Sequence, residues 1–287
     1  MTKPANCEKQ NEKWLFLFWI YTIVVILWGA WVRISHSGNG CGNHWPLCQG
    51  QLLPDTATAH TWIEYSHRMM SGIYGLLVFY IYYKFRQKKY SETTRKLSLY
   101  MLIFMLLEAA VGALLVKGQL VTVNDSVFRL IIMSLHQLNS FLLTAVTYLL
   151  GLSLSHNLKT KLNRILIFFL SLCVLGAFAS LSTTLFPSQS LWEGILSDLN
   201  STSHLFVKLR ILHPIFAVLI MMSLTYYYLN KKQTRIVFEI YFALAVGIMT
   251  LLTLSPVWLK ISHLFIAHYL WSRLLRTELI CDSKNLD

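Results

Sequence analysis

Charge is scarce in this chain. Of its 287 residues 13% are Asp, Glu, Lys or Arg, about half the share of an ordinary soluble domain. Acid is scarcer than base: 13 Asp and Glu stand against 25 Lys and Arg, a formal net charge of +12. Proline is rare as well, with six residues in all, so long apolar runs can continue as helices without interruption. Five cysteines are too few for a disulfide-built fold of this length. These shortages exclude a separate soluble domain, because apolar runs of spanning length recur along nearly the whole chain. The surplus of base would suit nucleic acid, but the Lys and Arg residues fall in short segments between the apolar runs. That is where topology signals sit, so we expect no nucleic-acid partner.

What is present is a set of eight apolar runs, at roughly 13–34, 62–84, 96–117, 127–152, 163–185, 204–229, 235–254 and 257–277. Each is long enough to cross about 30 Å of hydrocarbon. The fold class is therefore all-α, a polytopic membrane protein in the lipid bilayer. The links after spans two, four and six are basic, marked by Lys84, Arg86, Lys88, Lys89 and Arg95, by Lys159, Lys161 and Arg164, and by Lys231, Lys232 and Arg235. Residues 35–61 and 186–203 contain neither Lys nor Arg. The positive-inside rule then places both termini in the cytoplasm and these two long loops outside the cell (inner) membrane. The first run extends to Arg33 rather than to a small-residue cleavage site, so we expect it to be retained as a span.

Four histidines fall inside these runs: His67, His136, His213 and His263. An imidazole in hydrocarbon needs a partner, and its default reading is functional. In the expected orientation every even-numbered span runs inward, so all four rings lie in the outer half of the membrane. They also belong to an internal repeat. Gly29-Ala30 recurs as Gly176-Ala177, His67 as His213, Val111-Gly112 as Val246-Gly247, and His136 as His263, always in the same order. The repeat implies two pseudo-symmetric four-helix bundles, residues 1–155 and 156–287. Two histidines on facing helices can grip one iron from both sides, which favours electron transfer over O₂ binding. The pairs His67 with His136 and His213 with His263 are thus candidate bis-histidine haem ligands. The competing account is four core histidines bonded across helices. His268, five residues beyond His263, points about 140° away around the helix and cannot share its iron.

Other residues carry candidate chemistry. Glu64 lies one turn before His67 on the same face, where it either serves proton transfer beside a cofactor or pairs with Arg68 along the helix. The second half carries Arg210 at the matching position. Arg68 and Arg210 either meet cofactor carboxylates or reach to the surface. Pro214 removes a donor to the Arg210 carbonyl and predicts a kink. Glu108 in span three is a second intramembrane carboxylate, a proton relay or a partner of Lys117. Cys41 and Cys48 share the first outer loop. That loop faces an oxidising compartment, so we expect a structural disulfide, with a redox-active dithiol as the alternative. Cys7, Cys173 and Cys281 look isolated.

These residues together resemble the haem A synthase family. The marks are Gly29-Ala30-Trp31-Val32-Arg33, Ser37-Gly38, the loop closing on Trp45-Pro46-Leu47-Cys48, Glu64-x-x-His67-Arg68, and Arg210-x-x-His213-Pro214. The resemblance runs over essentially the whole chain. It implies oxidation of a methyl group of haem O to a formyl, through hydroxylated intermediates, to give haem A. It implies that the N-terminal bundle takes the substrate haem at His67 and His136, and that the C-terminal bundle holds haem b at His213 and His263. It gives Glu64 a catalytic role and matches Cys41 and Cys48 to an outer-loop cysteine pair. The implied partners are haem O synthase as donor, haem-copper oxidase assembly as acceptor of the product, and an electron acceptor the sequence does not identify; a homo-oligomer stays open. Some relatives carry a second cysteine pair in the loop that here spans 186–203, which has none. The alternative function is a dihaem b-type membrane electron carrier without substrate conversion.

Overall fold

The computed structural model describes residues 5–54, 58–159, 161 and 163–280, with side chains from residue 9. Both chain ends, Cys281 and the side chain of Cys7 lie outside the described residues. Among the described residues there are ten α-helices and no strand beyond isolated bridges. They are α1 (Ala5–Ile34), α2 (Ala59–Phe85), α3 (Glu92–Lys117), α4 (Val127–Leu152), α5 (Arg164–Leu185), α6 (Leu191–Leu199), α7 (Leu205–Arg210), α8 (Leu212–Asn230), α9 (Thr234–Leu252) and α10 (Val257–Leu279).

The starts of these helices follow from local chemistry. Thr58, Ser91, Ser126, Asn163, Ser190 and His204 each accept a backbone N–H at the first turn of α2 to α7 in order. Such caps satisfy donors that the helix leaves unpaired. The sixth expected span is broken in two at Ile211, between α7 and α8. Pro214 explains the break, since it has no N–H to return to the carbonyl of Arg210.

Six helices are long and apolar enough to cross a membrane, α7 and α8 counting as one, so the chain is a multi-pass membrane protein. The other two expected spans, α2 and α10, have 27 and 23 residues. Their length suffices to cross a bilayer. They are less apolar because they carry Glu64, His67 and Arg68, and Lys260, His263 and His268. Large apolar side chains face outward, such as Leu76 at 73% exposure and Phe238 at 70%. In water such a surface would be a liability, whereas hydrocarbon is its natural solvent. Inside, Thr22, Thr144 and Thr147 return their hydroxyls to the carbonyl four residues back, so these buried donors are not orphaned.

Helix α1 packs on α2 and α4, and α3 packs on α2 and α4. Likewise α5 packs on α8 and α10, and α9 packs on α8 and α10. Contacts of α4 with α5 and α10, and of α1 with α10, join the two sets. One apolar core gathers Leu15, Phe18, Tyr74, Val78, Met101 and Leu150, and the other Phe169, Leu224, Tyr228, Ile240 and Leu274. In every even-numbered expected span these residues come after the histidine. The tight cores therefore fill one end of the molecule, and the histidines stand nearer the other.

Candidate functional site

Each of the four histidines faces a glycine on the preceding spanning helix. A Cβ added at Gly29 would sit 2.9 Å from Cε1 of His67, at Gly176 3.1 Å from His213, and at Gly247 3.0 Å from His263. At Gly112 it would sit 3.9 Å from His136, an ordinary contact. The missing side chains make room for the rings, and this gives the glycines of the internal repeat a physical reason. The four Nδ1 atoms are buried without a hydrogen-bond partner. Leaving a buried polar atom unsatisfied costs about 1–3 kcal/mol, so hydrogen bonding across helices does not account for the four rings. The rings of His213 and His263 have centroids 6.3 Å apart and planes inclined by 70°. That separation leaves space for one metal ion between them, since metal–imidazole bonds run about 2 Å. His67 and His136 stand within electrostatic range of each other. The donor set thus fits a group held by paired imidazoles.

A cavity of about 500 Å³ opens beside His213 and His263. Its walls are mainly apolar, with Phe169, Met221 and Leu270 among them, and Gly176 and Gly247 at the rings. Cations gather on its lining: Arg33, Arg210 and Lys260. Arg33 Nη2 donates to Ser180 Oγ at 2.9 Å while its Nη1 is buried without a partner, and Lys260 Nζ donates to Thr184 Oγ1 at 3.2 Å. Sequence reasoning missed Arg33 and Lys260 as lining residues. The signal available was a cation near the end of an apolar run, which also fits an interfacial anchor.

Glu64 is buried and engaged on both oxygens. Oε1 pairs with Arg68 Nη2 at 2.5 Å, and Oε2 accepts the Cys41 backbone N–H at 2.8 Å. Arg68 in turn donates to the carbonyls of His44 and Leu47. Of the two readings of Glu64, the pair along the helix is formed, and it fastens the first long loop to the start of α2. Cys41 and Cys48 are joined by a disulfide within that loop. Cys173 is free.

Arg210 does the equivalent work in the second half. It pairs with Asp198, donates to the carbonyls of Phe186 and Gly194, and donates to the hydroxyls of Ser188 and Ser197. Burial pushes the Asp198 carboxyl above its ordinary range, against the pull of the guanidinium. Arg210 therefore holds α6, a helix the sequence did not reveal, over the cavity through Leu191, Gly194 and Ile195. The expected role of Arg68 and Arg210 toward cofactor carboxylates must share these donors with the loops.

His268 does not join the His213 and His263 pair. It is buried against α4, stacked on Phe141 at 3.9 Å and bonded to Thr144 Oγ1 at 3.0 Å. Glu108 stands beside His136 and Asn139, 3.3 Å from the former's Nδ1. His60, within the segment 35–61 expected as an outer loop, lies in the first turn of α2 and bonds Ser37 Oγ at 2.9 Å.

Comparison with known proteins places the chain in a family. The family described as cytochrome oxidase assembly protein, COX15-CtaA, matches residues 12–275. The chain is 31% identical over 293 residues to a protoheme IX farnesyltransferase of Thermus thermophilus, covering 94% of this chain and 48% of that protein. It is 39% identical over 92 residues to a heme A synthase of an Exiguobacterium species, 32% of this chain and 31% of that one. Over 56 residues it is 50% identical to the heme A synthase of Exiguobacterium sibiricum, 20% of this chain and 19% of the other. The chain spans about half the length of the first curated relatives it matches.

Proposed function

We propose that this chain, which belongs to the COX15-CtaA family of cytochrome oxidase assembly proteins, is an oxidoreductase of haem A biosynthesis, a haem A synthase. It oxidises a methyl group of haem O to a formyl. The observation that carries this reading is the duplicated set of glycine-backed imidazoles, with the rings of His213 and His263 6.3 Å apart beside an apolar cavity. When bound, haem supplies the redox chemistry. The chain's residues hold, orient and enclose it.

In this reading the eight spanning elements form two pseudo-symmetric bundles, residues 1–155 and 156–287. His67 and His136 hold the substrate haem, and His213 and His263 hold haem b. Arg33, Lys260 and Arg210 supply positive charge for haem carboxylates at the second site, and Arg68 does so at the first. Glu64 acts at the first site, where its bonds to Arg68 and the Cys41 N–H keep it directly before His67. The protein lies in the cell membrane with both ends in the cytoplasm and the disulfide loop outside. Haem O synthase is the donor, a link supported by the relatives named protoheme IX farnesyltransferase. Haem-copper oxidase assembly takes the product.

A second reading, a dihaem b-type electron carrier, draws on the full engagement of Glu64, which leaves neither carboxylate oxygen free. Extracting the haems of the purified protein and separating them by chromatography decides between the two. Haem O or haem A in the extract supports the enzyme, and haem b alone supports the carrier. Glu64→Ala should retain haem while the yield of haem A falls. An unchanged yield would remove Glu64 from the mechanism.

A further inference from the structure

The four imidazoles are not equivalent behind their rings. On α3, Phe104, Glu108 and Gly112 lie at four-residue intervals along one face. Gly112 leaves room for the ring of His136, and Glu108 stands one turn away with Oε1 3.3 Å from Nδ1. The carboxylate is held in place. Asn139, three residues beyond His136 on α4, donates its Nδ2 both to Glu108 Oε2 at 2.5 Å and to the Phe104 carbonyl at 2.8 Å. Arg33 is within electrostatic range of the same ring. At the other three cradles the residue four places before the glycine is Val25, Leu172 or Ala243. None of these can accept a hydrogen bond through its side chain. One imidazole in four therefore has a carboxylate behind it, and it belongs to the pair His67 and His136.

A metal-bound histidine commonly gives its other ring N–H to a carboxylate. That bond fixes the tautomer, orients the ring and makes it a stronger donor to the metal. We propose that Glu108 is the positioning residue of His136: it receives the Nδ1–H, leaves Nε2 for the iron, and holds the reduction potential of the haem on His67 and His136 below the value that haem would have without the carboxylate. The asymmetry follows from one substitution in the repeat, Glu108 against Ala243 at the same distance before Gly112 and Gly247. A stronger donor stabilises the oxidised metal, so removing the carboxylate should raise the potential of this site and leave the other unchanged.

This inference rests on the proposed haem sites, and its test separates the two. The full-length protein, loaded with haem, is titrated potentiometrically while its visible spectrum is followed. Wild type should reduce in two waves. In Glu108→Gln the wave of the haem on His67 and His136, identified as the one that persists in His213→Ala, should move to higher potential, the other wave should stay, and haem retention at the moved site should fall roughly ten-fold or more. The low-spin electron paramagnetic resonance signal of that site should change with it. Should Glu108→Gln lose the first haem altogether, Asn139→Ala keeps the carboxylate but removes its hold. It should move the same wave in the same direction. Two unmoved waves, or two waves moved together, in the variant that loads would overturn the role of Glu108. A wild-type protein with no haem spectrum would instead sink the proposed function.

Discussion

At the scale of single residues, a missing Cβ governs whether an imidazole can approach the neighbouring helix. Replacing glycine by alanine inside a helix ordinarily stabilises it by up to about 1 kcal/mol. At Gly29, Gly176 and Gly247 the new methyl would stand 2.9, 3.1 and 3.0 Å from a ring carbon. The ring has to move, and it is the ring that binds. Gly176→Ala and Gly247→Ala should each give a folded, thermally unimpaired protein with most of one haem missing, read from the Soret band. Gly29→Ala should do the same for the other haem. Gly112→Ala, at 3.9 Å, should retain both. Equal behaviour of all four variants would break the link between cradle and ligand. The repeat of these glycines was legible in the sequence, but only as an order of small residues. Which helix each one faced, and that it faced a histidine, needed the fold. Glu108 shows the same limit from the other side. A carboxylate in an apolar run is visible in the sequence, yet its partner on α4 is not, and Lys117 nine residues on offered a false one.

Helices and loops add a second layer. Seven of the eight expected spans match continuous helices to within a few residues, except where α1 begins eight residues earlier than expected. The eighth is divided at Ile211, as Pro214 required. The short helix α6 went unseen because it leaves none of its nine residues buried and sits in a loop without a repeat or charge signal. What fixes it is Arg210, whose guanidinium meets two carbonyls, two hydroxyls and Asp198. Hydrogen bonds to a charged group are worth about 1.5–3 kcal/mol each where they are not lost to water. Arg210→Ala should therefore free residues 186–199 while leaving α8 intact. Hydrogen exchange should accelerate at least ten-fold across α6 and remain slow in α8 and α10. Slow exchange throughout would mean that the loop is held by something other than this arginine. The sequence offered Arg210 as a partner of cofactor carboxylates, because a local staple and a ligand contact look alike until the chain is folded.

Across the whole molecule, the two sets of packed helices meet along a seam of α1 and α4 against α5 and α10. Trp19 donates to Ser272 Oγ, Trp271 to the Phe141 carbonyl, and Arg33 to Ser180 Oγ. His268 contributes to this seam, facing Phe141 and Thr144, and neither histidine pair draws a ring from it. His67 and His136 stand on α2 and α4, and His213 and His263 on α8 and α10. Each pair is carried by helices of its own set, with a separate apolar core filling the far end of each, while Arg33 and Phe141 of the first set reach the cavity of the second pair. Removing a ligand from one pair should cost that site alone. His213→Ala should lower the haem content from about two per chain to about one. One of the two waves should vanish, and the first pair should keep its spectrum and its midpoint. Loss of both haems would show that the seam transmits the damage and that the two sites fold as one. Loss of the substrate haem alone would exchange the assignments of the two halves, and with them the site at which the methyl group is oxidised.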